Sequence, residues 1–333
     1  MQNKDKIIHR QVGARDGLQF EDKTVSVEDR LQYIEMLIES GEKFIEFGSL
    51  AHEKVVPNMV GSLELAKMLK ENAERGKYKG VTFSMLVMHE KYLTPEAIDV
   101  MKDFCDIALV TAASEQFCKN NMNQKGGIEE SKEQALKIIE RAKEAGIKYR
   151  GYVSTIFKAP SIRTEEGLKD GEDIHPKAVG DLTKFLISNG CYEVSLGDTT
   201  GAGDPKKVDA LMKTLKKDSV NFDNVCMHLH DTGGNALYNA LVAYRAGVRR
   251  FDTASGGLGQ CKFSNNPKGN LATEDLVHFF NKAEISTGGI RVHKTVAASK
   301  FILDKVGRES PSMAYNMMKS RVNISNTERL KTL

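Results

Sequence analysis

Two histidines, His228 and His230, occupy alternate positions in the apolar stretch CMHLHD, and Asp231 follows them directly. The apolar character of the stretch predicts a β-strand, in which successive side chains point to opposite faces with a period of two. Both imidazoles therefore face the same side. Two imidazoles on one face are the beginning of a metal site, and the glycine-rich segment that follows adds Cys261 and Asn270 as candidate site residues.

The composition limits the classes of function open to this chain. It has 333 residues, of which 40% are hydrophobic and 28% are charged, and its net charge is only +3, with the lysines scattered. This charge pattern argues against nucleic-acid binding. We find no apolar run of membrane-spanning length and no signal peptide. Five cysteines without metal-ligand spacing are typical of free thiols in a reducing compartment, so we expect a cytoplasmic protein.

Short β-rich runs alternate with amphipathic helical segments over most of the chain. The predicted strands are 7–12, 43–47, 81–87, 106–111, 149–154, 192–196, 225–230 and 250–253. Unbroken alternation of this kind favours an α/β protein with one closed parallel (β/α)8 barrel, the TIM-barrel fold. We assign residues 1–286 to the barrel and 287–333 to a helical extension packed on it. A long polar loop, 158–176, is expected after the fifth strand.

The candidate site residues fall at one end of this predicted barrel. In TIM barrels the active site is formed at the C-terminal ends of the strands, by the loops that follow them. The candidates there are Arg15 and Asp16 after strand one, Glu46 at the end of strand two, Asp198 after strand six, His228 and His230 at the end of strand seven, and Cys261 and Asn270 after strand eight. Barrel closure would bring all of them to one mouth.

Several of these candidates also fit structural roles. The Asp-Gly pair at 16–17 is typical of a turn, and Asp198 in LGDTTGAGDP could form a turn or cap a helix. Cys261 could fill a buried space, although GGLGQC is too glycine-rich to pack as core. Glu46 is harder to explain structurally, because a carboxylate inside an apolar strand needs a partner such as Arg15 or a metal.

The residue types predict a metal-assisted reaction. Asp16, His228, His230 and Asn270 combine oxygen and neutral nitrogen ligands, a set that suits Mg or Mn with open positions for water and substrate; Zn is possible. A divalent metal can polarise a hydroxyl or carbonyl oxygen. Arg15, beside the metal carboxylate, could neutralise an enolate or carboxylate. The chemistry indicated is cleavage or formation of a carbon-carbon bond.

The motifs GARDGLQ, SLGDTTGAGDP, HLHDTGGNAL, GGLGQC and GNLATEDLV occur in this order. Together they resemble the 3-hydroxy-3-methylglutaryl-CoA lyase family of metal-dependent barrel enzymes. The resemblance implies metal ligands at Asp16, His228, His230 and Asn270, a catalytic arginine at Arg15, acidic site residues at Glu46 and Asp198, and a mobile-loop cysteine at Cys261. The implied reaction is a retro-Claisen cleavage of a 3-hydroxyacyl-CoA to acetyl-CoA and a ketoacid, in which His228 handles protons and Gln19 contacts the substrate.

Departures from the family pattern concern the substrate more than the chemistry. Gln260 and Lys262 flank the loop cysteine where the family usually has glycine and proline, Gly233 replaces a usual tyrosine, and the segment 20–23 displaces a lysine that would meet the CoA phosphates. The loop after strand five is also longer than usual and lacks the family's cysteine turn. The acyl group is therefore the part of the substrate that these motifs leave most open.

Other classes of protein fit these motifs less well. A condensing synthase or a 4-hydroxy-2-oxoacid aldolase would share the metal site but lack the cysteine loop. A barrel that only binds a metabolite would not need the complete ligand set, and a metallohydrolase would carry its H-x-H pair on the first strand. We expect an acyl-CoA substrate, no nucleic-acid or membrane partner, and a homodimer.

Overall fold

The computed structural model describes residues 6–164, 167–259 and 269–320. Its strands are β1 (Ile8–Gln11), β2 (Phe44–Leu50), β3 (Thr82–Val87), β4 (Cys105–Ala112), β5 (Tyr149–Ser154), β6 (Ile162–Thr164), β7 (Gly167–Lys169), β8 (Val194–Asp198), β9 (Val225–Leu229) and β10 (Arg250–Thr253). Its α-helices are α1 (Val27–Ser40), α2 (Ser62–Glu74), α3 (Pro95–Met101), α4 (Glu115–Asn121), α5 (Gly127–Ala145), α6 (Pro176–Ser188), α7 (Pro205–Lys217), α8 (Ala236–Ala246), α9 (Thr273–Lys282) and α10 (Val292–Val306).

Eight of the strands close into one barrel. Their order is β1-β10-β9-β8-β5-β4-β3-β2, and neighbouring strands are parallel throughout. Pairing of β1 with both β10 and β2 leaves no open edge. This topology confirms the predicted α/β TIM-barrel fold.

The sequence sets the ends of the helices with ordinary capping residues. Ser26 accepts a hydrogen bond from the Asp29 N–H at the start of α1, and Gly41 ends that helix with φ of 111°, a left-handed conformation that favours glycine. Asp204 caps α7 in the same way, with Pro205 in the first turn. Such signals fix where each helix starts and stops, and so where the loops at the barrel mouth begin.

Charged side chains occupy the interior of the barrel. Arg150 on β5 reaches Asp252 on β10 at 2.9 Å and Glu193 at 3.2 Å, although β5 and β10 are not neighbours, so these contacts cross the barrel. Arg10 pairs with the same glutamate at 2.8 Å. All four side chains are largely or fully shielded from solvent, and each charge has an opposite partner, as buried charges require.

The apolar core lies between the outer face of the strands and the surrounding helices. Outward-facing side chains such as Phe83, Leu109 and Val153 are buried there with helix residues such as Leu37. The ring of Phe83 packs edge-on against Phe47 and stacks on Phe104. Polar side chains face the barrel interior and apolar side chains face the surrounding helices. The groups capable of chemistry therefore lie within the barrel.

Two elements at the barrel mouth differ from the sequence prediction. The loop 158–176, expected to be only a polar connection, contains the antiparallel hairpin of β6 and β7. These strands have three residues each, carry charged side chains and show no apolar alternation, so the pattern contained no signal for them. The short helix α4 was also missed, although Ser114 caps it by accepting from the Phe117 N–H.

After the last barrel helix the chain continues across the outside of the barrel. Helix α10 packs against α1 and against the turn that follows β10. A further helical segment spans 313–320. The division of the chain at residue 286 stays a prediction. None of the helices in the described residues is both long enough and apolar enough to cross a bilayer.

Candidate active site

A cavity of about 370 Å³ opens where the barrel strands end. Its polar lining includes Arg15 and Asp16 from the π-helical turn after β1, together with Gln19, Tyr152, His228 and His230. Strands that are far apart in the sequence thus bring their polar side chains into one space. Of the residues predicted to meet at a common mouth, Arg15, Asp16, His228 and His230 line this cavity.

The two histidines present ring nitrogens to each other. The Nε2 atoms of His228 and His230 are 3.1 Å apart, and Oδ2 of Asp16 lies 3.7 Å and 3.9 Å from them. The Nδ1 atom of His228 is 3.2 Å from Oδ2 of Asp252, an acceptor that fixes the proton on Nδ1 and leaves Nε2 with a free lone pair. These three side chains can hold a metal ion between them.

The electrostatic environment keeps these donors in the forms that metals bind. Burial and the neighbouring His228 lower the pKa of His230 to about 4, so its imidazole is neutral at physiological pH. Burial alone would raise the pKa of Asp16, but Arg15, the neighbouring histidines and the hydrogen bond from Asn270 outweigh burial and lower it to about 2. The site therefore combines an ionised carboxylate with two imidazoles, of which that of His230 is neutral.

Asn270 adds an oxygen donor to this group. Its amide Nδ2 donates to Oδ2 of Asp16 at 2.9 Å and to the Leu258 carbonyl at 3.0 Å. Its Oδ1 is buried without a hydrogen-bond partner among the described residues. Gly259 permits this close approach, because a Cβ there would lie 2.5 Å from the Asn270 amide nitrogen and φ is +113°.

An unpartnered buried oxygen near a carboxylate and two imidazoles fits a divalent cation. A buried polar atom without a partner costs free energy unless something outside the protein satisfies it. The Oδ1 atom of Asn270 and the Nδ1 atom of His230 are both in this position within the described part of the chain. The Oδ1 atom of Asn270 supports the predicted set of four ligands, because it is a hard oxygen donor of the type that Mg and Mn prefer.

Arg15 is held by two carboxylates. Its Nε donates to Glu46, and its Nη1 donates to Oδ1 of Asp16 at 2.6 Å. The Tyr152 hydroxyl donates to both oxygens of Glu46, at 3.0 and 3.2 Å. Burial would lower the pKa of Arg15, but Glu46 and Asp16 outweigh burial and raise it, so the guanidinium stays charged at the cavity wall. Glu46 thus has the arginine partner that the sequence suggested.

A group of polar residues behind the site was not anticipated from the sequence. Asp252 contacts His228, accepts from Ser195 Oγ at 2.6 Å, and pairs with Arg150. Arg150 lies beneath Tyr152, with its guanidinium carbon 4.9 Å from the ring centre. Arg150 and Asp252 each interrupt an apolar strand with a charge, the same signal that drew attention to Glu46. That signal could have found them.

Asp198 occupies a different environment from the other acids. Its carboxylate accepts from the backbone N–H groups of Ala202 and Gly203 at 3.1 and 2.9 Å, within its own turn. Burial raises its pKa to about 7, while these hydrogen bonds and the charge of His228 oppose the rise. The turn-forming role weighed from the sequence is therefore present, and a catalytic role for Asp198 stays a prediction.

The remaining predicted residues are Gln19 and Cys261. Gln19 lines the cavity, and its amide donates to Oδ1 of Asp16 at 3.4 Å. This position is compatible with substrate contact, which stays a prediction. Cys261 and its neighbours, 260–268, lie outside the described residues, so its predicted role also stays a prediction.

The sequence model of the HMGL-like family matches residues 6–320. The chain belongs to this family. Hydroxymethylglutaryl-CoA lyase from the mitochondria of Macaca fascicularis is 36% identical over 302 residues, which cover 91% of this chain and 86% of the relative. Hydroxymethylglutaryl-CoA lyase of Bacillus subtilis is 31% identical over 319 residues, 95% of this chain and 98% of the relative.

Solved structures agree with the assignment to the HMGL-like family. The crystal structure of hydroxymethylglutaryl-CoA lyase from Pseudomonas aeruginosa superposes with a TM-score of 0.84 at 31% identity, covering 95% of this chain and 98% of that one. This similarity extends over the barrel and most of the segment after it. The resemblance inferred from five short motifs is confirmed, and the protein is a carbon-carbon lyase of the HMGL-like family.

Proposed function

We propose that this protein cleaves 3-hydroxy-3-methylglutaryl-CoA, or a close analogue, by a retro-Claisen reaction to acetyl-CoA and a ketoacid such as acetoacetate. The observation that carries the proposal is the grouping of Asp16, His228 and His230 with the buried guanidinium of Arg15 in one cavity, with the Asn270 amide hydrogen-bonded to Asp16. The hydroxymethylglutaryl-CoA lyases to which the chain is similar support the same reaction.

Asp16, His228, His230 and Asn270 would hold the divalent metal. Mg or Mn fits a set made of carboxylate, amide and neutral imidazole donors, whereas a thiolate-rich set would favour Zn. When bound, such a cation polarises substrate oxygens and lowers the cost of negative charge on them. Asp252 supports the site by holding the ring of His228 in one tautomer.

The reaction breaks the C2–C3 bond and, in net terms, transfers a proton from the C3 hydroxyl to C2. The C3 hydroxyl loses its proton, its oxygen becomes the carbonyl of the ketoacid, and the C2–C3 bond breaks. The bonding electrons pass to C2 as the enolate of acetyl-CoA, which then takes up a proton at C2. Arg15, fixed by Glu46 and Asp16, would donate to the enolate oxygen as negative charge develops there.

The proton steps are assigned to residues around the metal donors. The sequence assigned the hydroxyl proton to His228 with Asp198 nearby. Because Nδ1 of His228 faces Asp252 and Nε2 faces the metal-type donors, that ring has no free lone pair, and Asp198 would take the proton. A carboxyl group whose pKa burial has raised to about 7 is suited to accept or return a proton near neutral pH. Cys261 would protonate or shield the enolate, and Gln19 would contact the substrate beside Asp16.

Release of acetyl-CoA from 3-hydroxy-3-methylglutaryl-CoA in the presence of Mg or Mn tests the proposal. Arg15→Gln should lower kcat by about 100-fold or more, the cost of losing one preorganised donor to an oxyanion. Arg75→Gln is the matched control, because Arg75 is 70% exposed and distant in the chain from the site. If no acetyl-CoA appears while a 2-oxoacid and acetyl-CoA are consumed together, the enzyme is a condensing synthase instead.

The location and assembly of the protein belong to the same proposal. We infer a cytoplasmic homodimer; the four described cysteines are buried and unpaired, which is compatible with a reducing compartment. Light scattering of the purified protein at micromolar concentration measures its mass directly. A monomeric mass across that range would overturn the dimer.

A further inference from the structure

The active-site cavity has two chemically different sides. The metal-type donors and Arg15 come from the segments that follow β1, β9 and β10. In the closed barrel the strands opposite these are β3, β4 and β5. The lining side chains from β3 and β4 are apolar, whereas Tyr152 and Ser154 of β5 are polar. The apolar wall, as we define it, consists of Leu86, Met88, Val110, Phe117 and Met122; Asn121 is the polar neighbour that lines the cavity beside the last two.

The apolar wall reaches the depth of the catalytic groups. Leu86 and Val110 pack in one cluster with Tyr152, whose hydroxyl donates to Glu46, the partner of Arg15. Its inner part is therefore level with the catalytic arginine. The CoA arm of the substrate has to extend from the cavity to solvent. An apolar surface at this depth would therefore contact a group attached near the reacting carbon.

The outer part of the apolar wall is held in place by the loop after β5. Helix α4 carries Phe117, which is 7% exposed, and Gln116 in the same helix donates through its side chain to the Pro160 carbonyl at 2.6 Å. Lys158 in that loop pairs with Asp170 at 2.8 Å. The extended loop thus braces the helix that closes the apolar wall, which gives this departure from the family pattern a consequence for the substrate.

The chemistry of C3 determines what the apolar wall can bind. C3 of a 3-hydroxyglutaryl thioester carries a hydroxyl, a thioester arm, a carboxylate arm and one further substituent. The hydroxyl, the carboxylate and the thioester oxygen are polar groups that suit the side of the cavity with the metal-type donors and Arg15, while only the further substituent can be a hydrocarbon. A single methyl group would cover a small part of five apolar side chains.

We propose, resting on the lyase function above, that the apolar wall selects substrates whose C3 carries an alkyl group longer than methyl, with Val110 as its central specificity residue. Every methylene buried against such a wall contributes about fourfold to binding. The substrate class is a 3-hydroxy-3-alkylglutaryl-CoA.

The test compares two substrates that share the CoA moiety. The values of kcat/KM for 3-hydroxy-3-methylglutaryl-CoA and 3-hydroxy-3-butylglutaryl-CoA are measured with wild-type protein and saturating Mn. We expect the butyl substrate to equal or exceed the methyl substrate. A lower value for the butyl substrate would overturn the inference while leaving the lyase function intact. Failure to cleave either substrate would overturn the proposed function itself.

A substitution in the apolar wall distinguishes its two possible occupants, the alkyl group and the CoA arm. Val110→Phe fills cavity space, so kcat/KM should fall at least tenfold more for the butyl than for the methyl substrate, within the discrimination that a hydrophobic pocket supplies. Val60→Phe is the matched control, because Val60 is 49% exposed and outside this cavity. Equal losses with both substrates would assign the wall to the CoA arm and overturn the inference.

Discussion

The carboxylate of Asp252 lies 3.2 Å from Nδ1 of His228, on the side of the ring that faces away from Asp16 and His230. Its oxygen accepts a hydrogen bond from the Nδ1–H group, which orients the Nε2 lone pair toward the other metal-type donors. Burial would raise the pKa of Asp252, but the charge of Arg150 and the contact with His228 lower it, so the group is a permanent anion. The orientation of His228 in the proposed metal site therefore depends on Asp252, which is not itself one of the proposed ligands.

Asp252→Asn should weaken Mn binding by about 10- to 100-fold, the usual cost of losing a carboxylate behind a metal-ligating histidine. The asparagine keeps the size of the side chain but removes the charge that orients His228. Isothermal titration with Mn measures the effect on protein whose circular dichroism is native. Asp223→Asn, at a side chain 82% exposed, is the control. Native-like Mn affinity in folded Asp252→Asn protein would contradict the orienting role.

Asn270→Asp should destabilise the metal-free protein and increase its response to metal. The substitution removes an amide that donates to Asp16 and to the Leu258 carbonyl, leaving acceptors facing each other, at a cost of about 1–3 kcal/mol. A bound cation neutralises the added charge, so the Mn-induced rise in Tm should exceed that of the wild type. Thermal unfolding with and without Mn provides the measurement.

The control for this substitution is Asn221→Asp, which makes the same chemical change at a helix cap. There the side-chain oxygen that accepts from the Asp223 N–H is retained. Its Mn-induced shift should match that of the wild type. If Asn270→Asp also gives the wild-type shift, Asn270 is not a ligand.

Glu42 should make the protein less stable as the pH rises. Burial raises its pKa to about 8, although Gln11 donates a hydrogen bond to it. The folded state then binds this proton more tightly than the unfolded state, so stability falls between about pH 5 and pH 8, by up to about 1.4 kcal/mol per pH unit. Glu42→Gln removes the titrating group and should flatten this dependence in urea unfolding measured from pH 5 to 9.

Glu39→Gln provides the control for the pH experiment, because Glu39 lies near Glu42 in the chain, in the last turn of α1, with its side chain 69% exposed. Its unfolding free energy should follow the wild-type pH dependence. An equally steep decline in Glu42→Gln protein would show that another group is responsible. Glu274, whose pKa burial raises to about 7, is then the next group to replace.

The barrel could be predicted because its signal is repeated along the chain. The strands alternate with helices, and the eight predicted strands correspond to the strands that close the barrel. The donors Asp16, His228 and His230 could be predicted because barrel geometry brings strand ends together wherever they lie in the sequence. Asp16 and His230 are 214 positions apart in the chain, yet their side chains meet in one cavity.

Other features needed three-dimensional information. Asp252 and Arg150 carry the same sequence signal as Glu46, but which buried charges pair across the barrel depends on strand positions that no local pattern contains. The hairpin of β6 and β7 is too short and too charged for periodicity to indicate it. Asp198 could be a turn-former or a site residue on sequence grounds, and only its hydrogen bonds to Ala202 and Gly203 show that the turn is formed.

The central claim is that a metal held by Asp16, His228, His230 and Asn270 supports carbon-carbon cleavage. Acetyl-CoA release from 3-hydroxy-3-methylglutaryl-CoA by metal-stripped protein, as Mn is titrated back, tests it most directly. Wild-type activity should rise from background to saturation, whereas Asp16→Asn protein should remain close to background at every Mn concentration. Full activity of metal-stripped Asp16→Asn protein would contradict metal-dependent cleavage at this site.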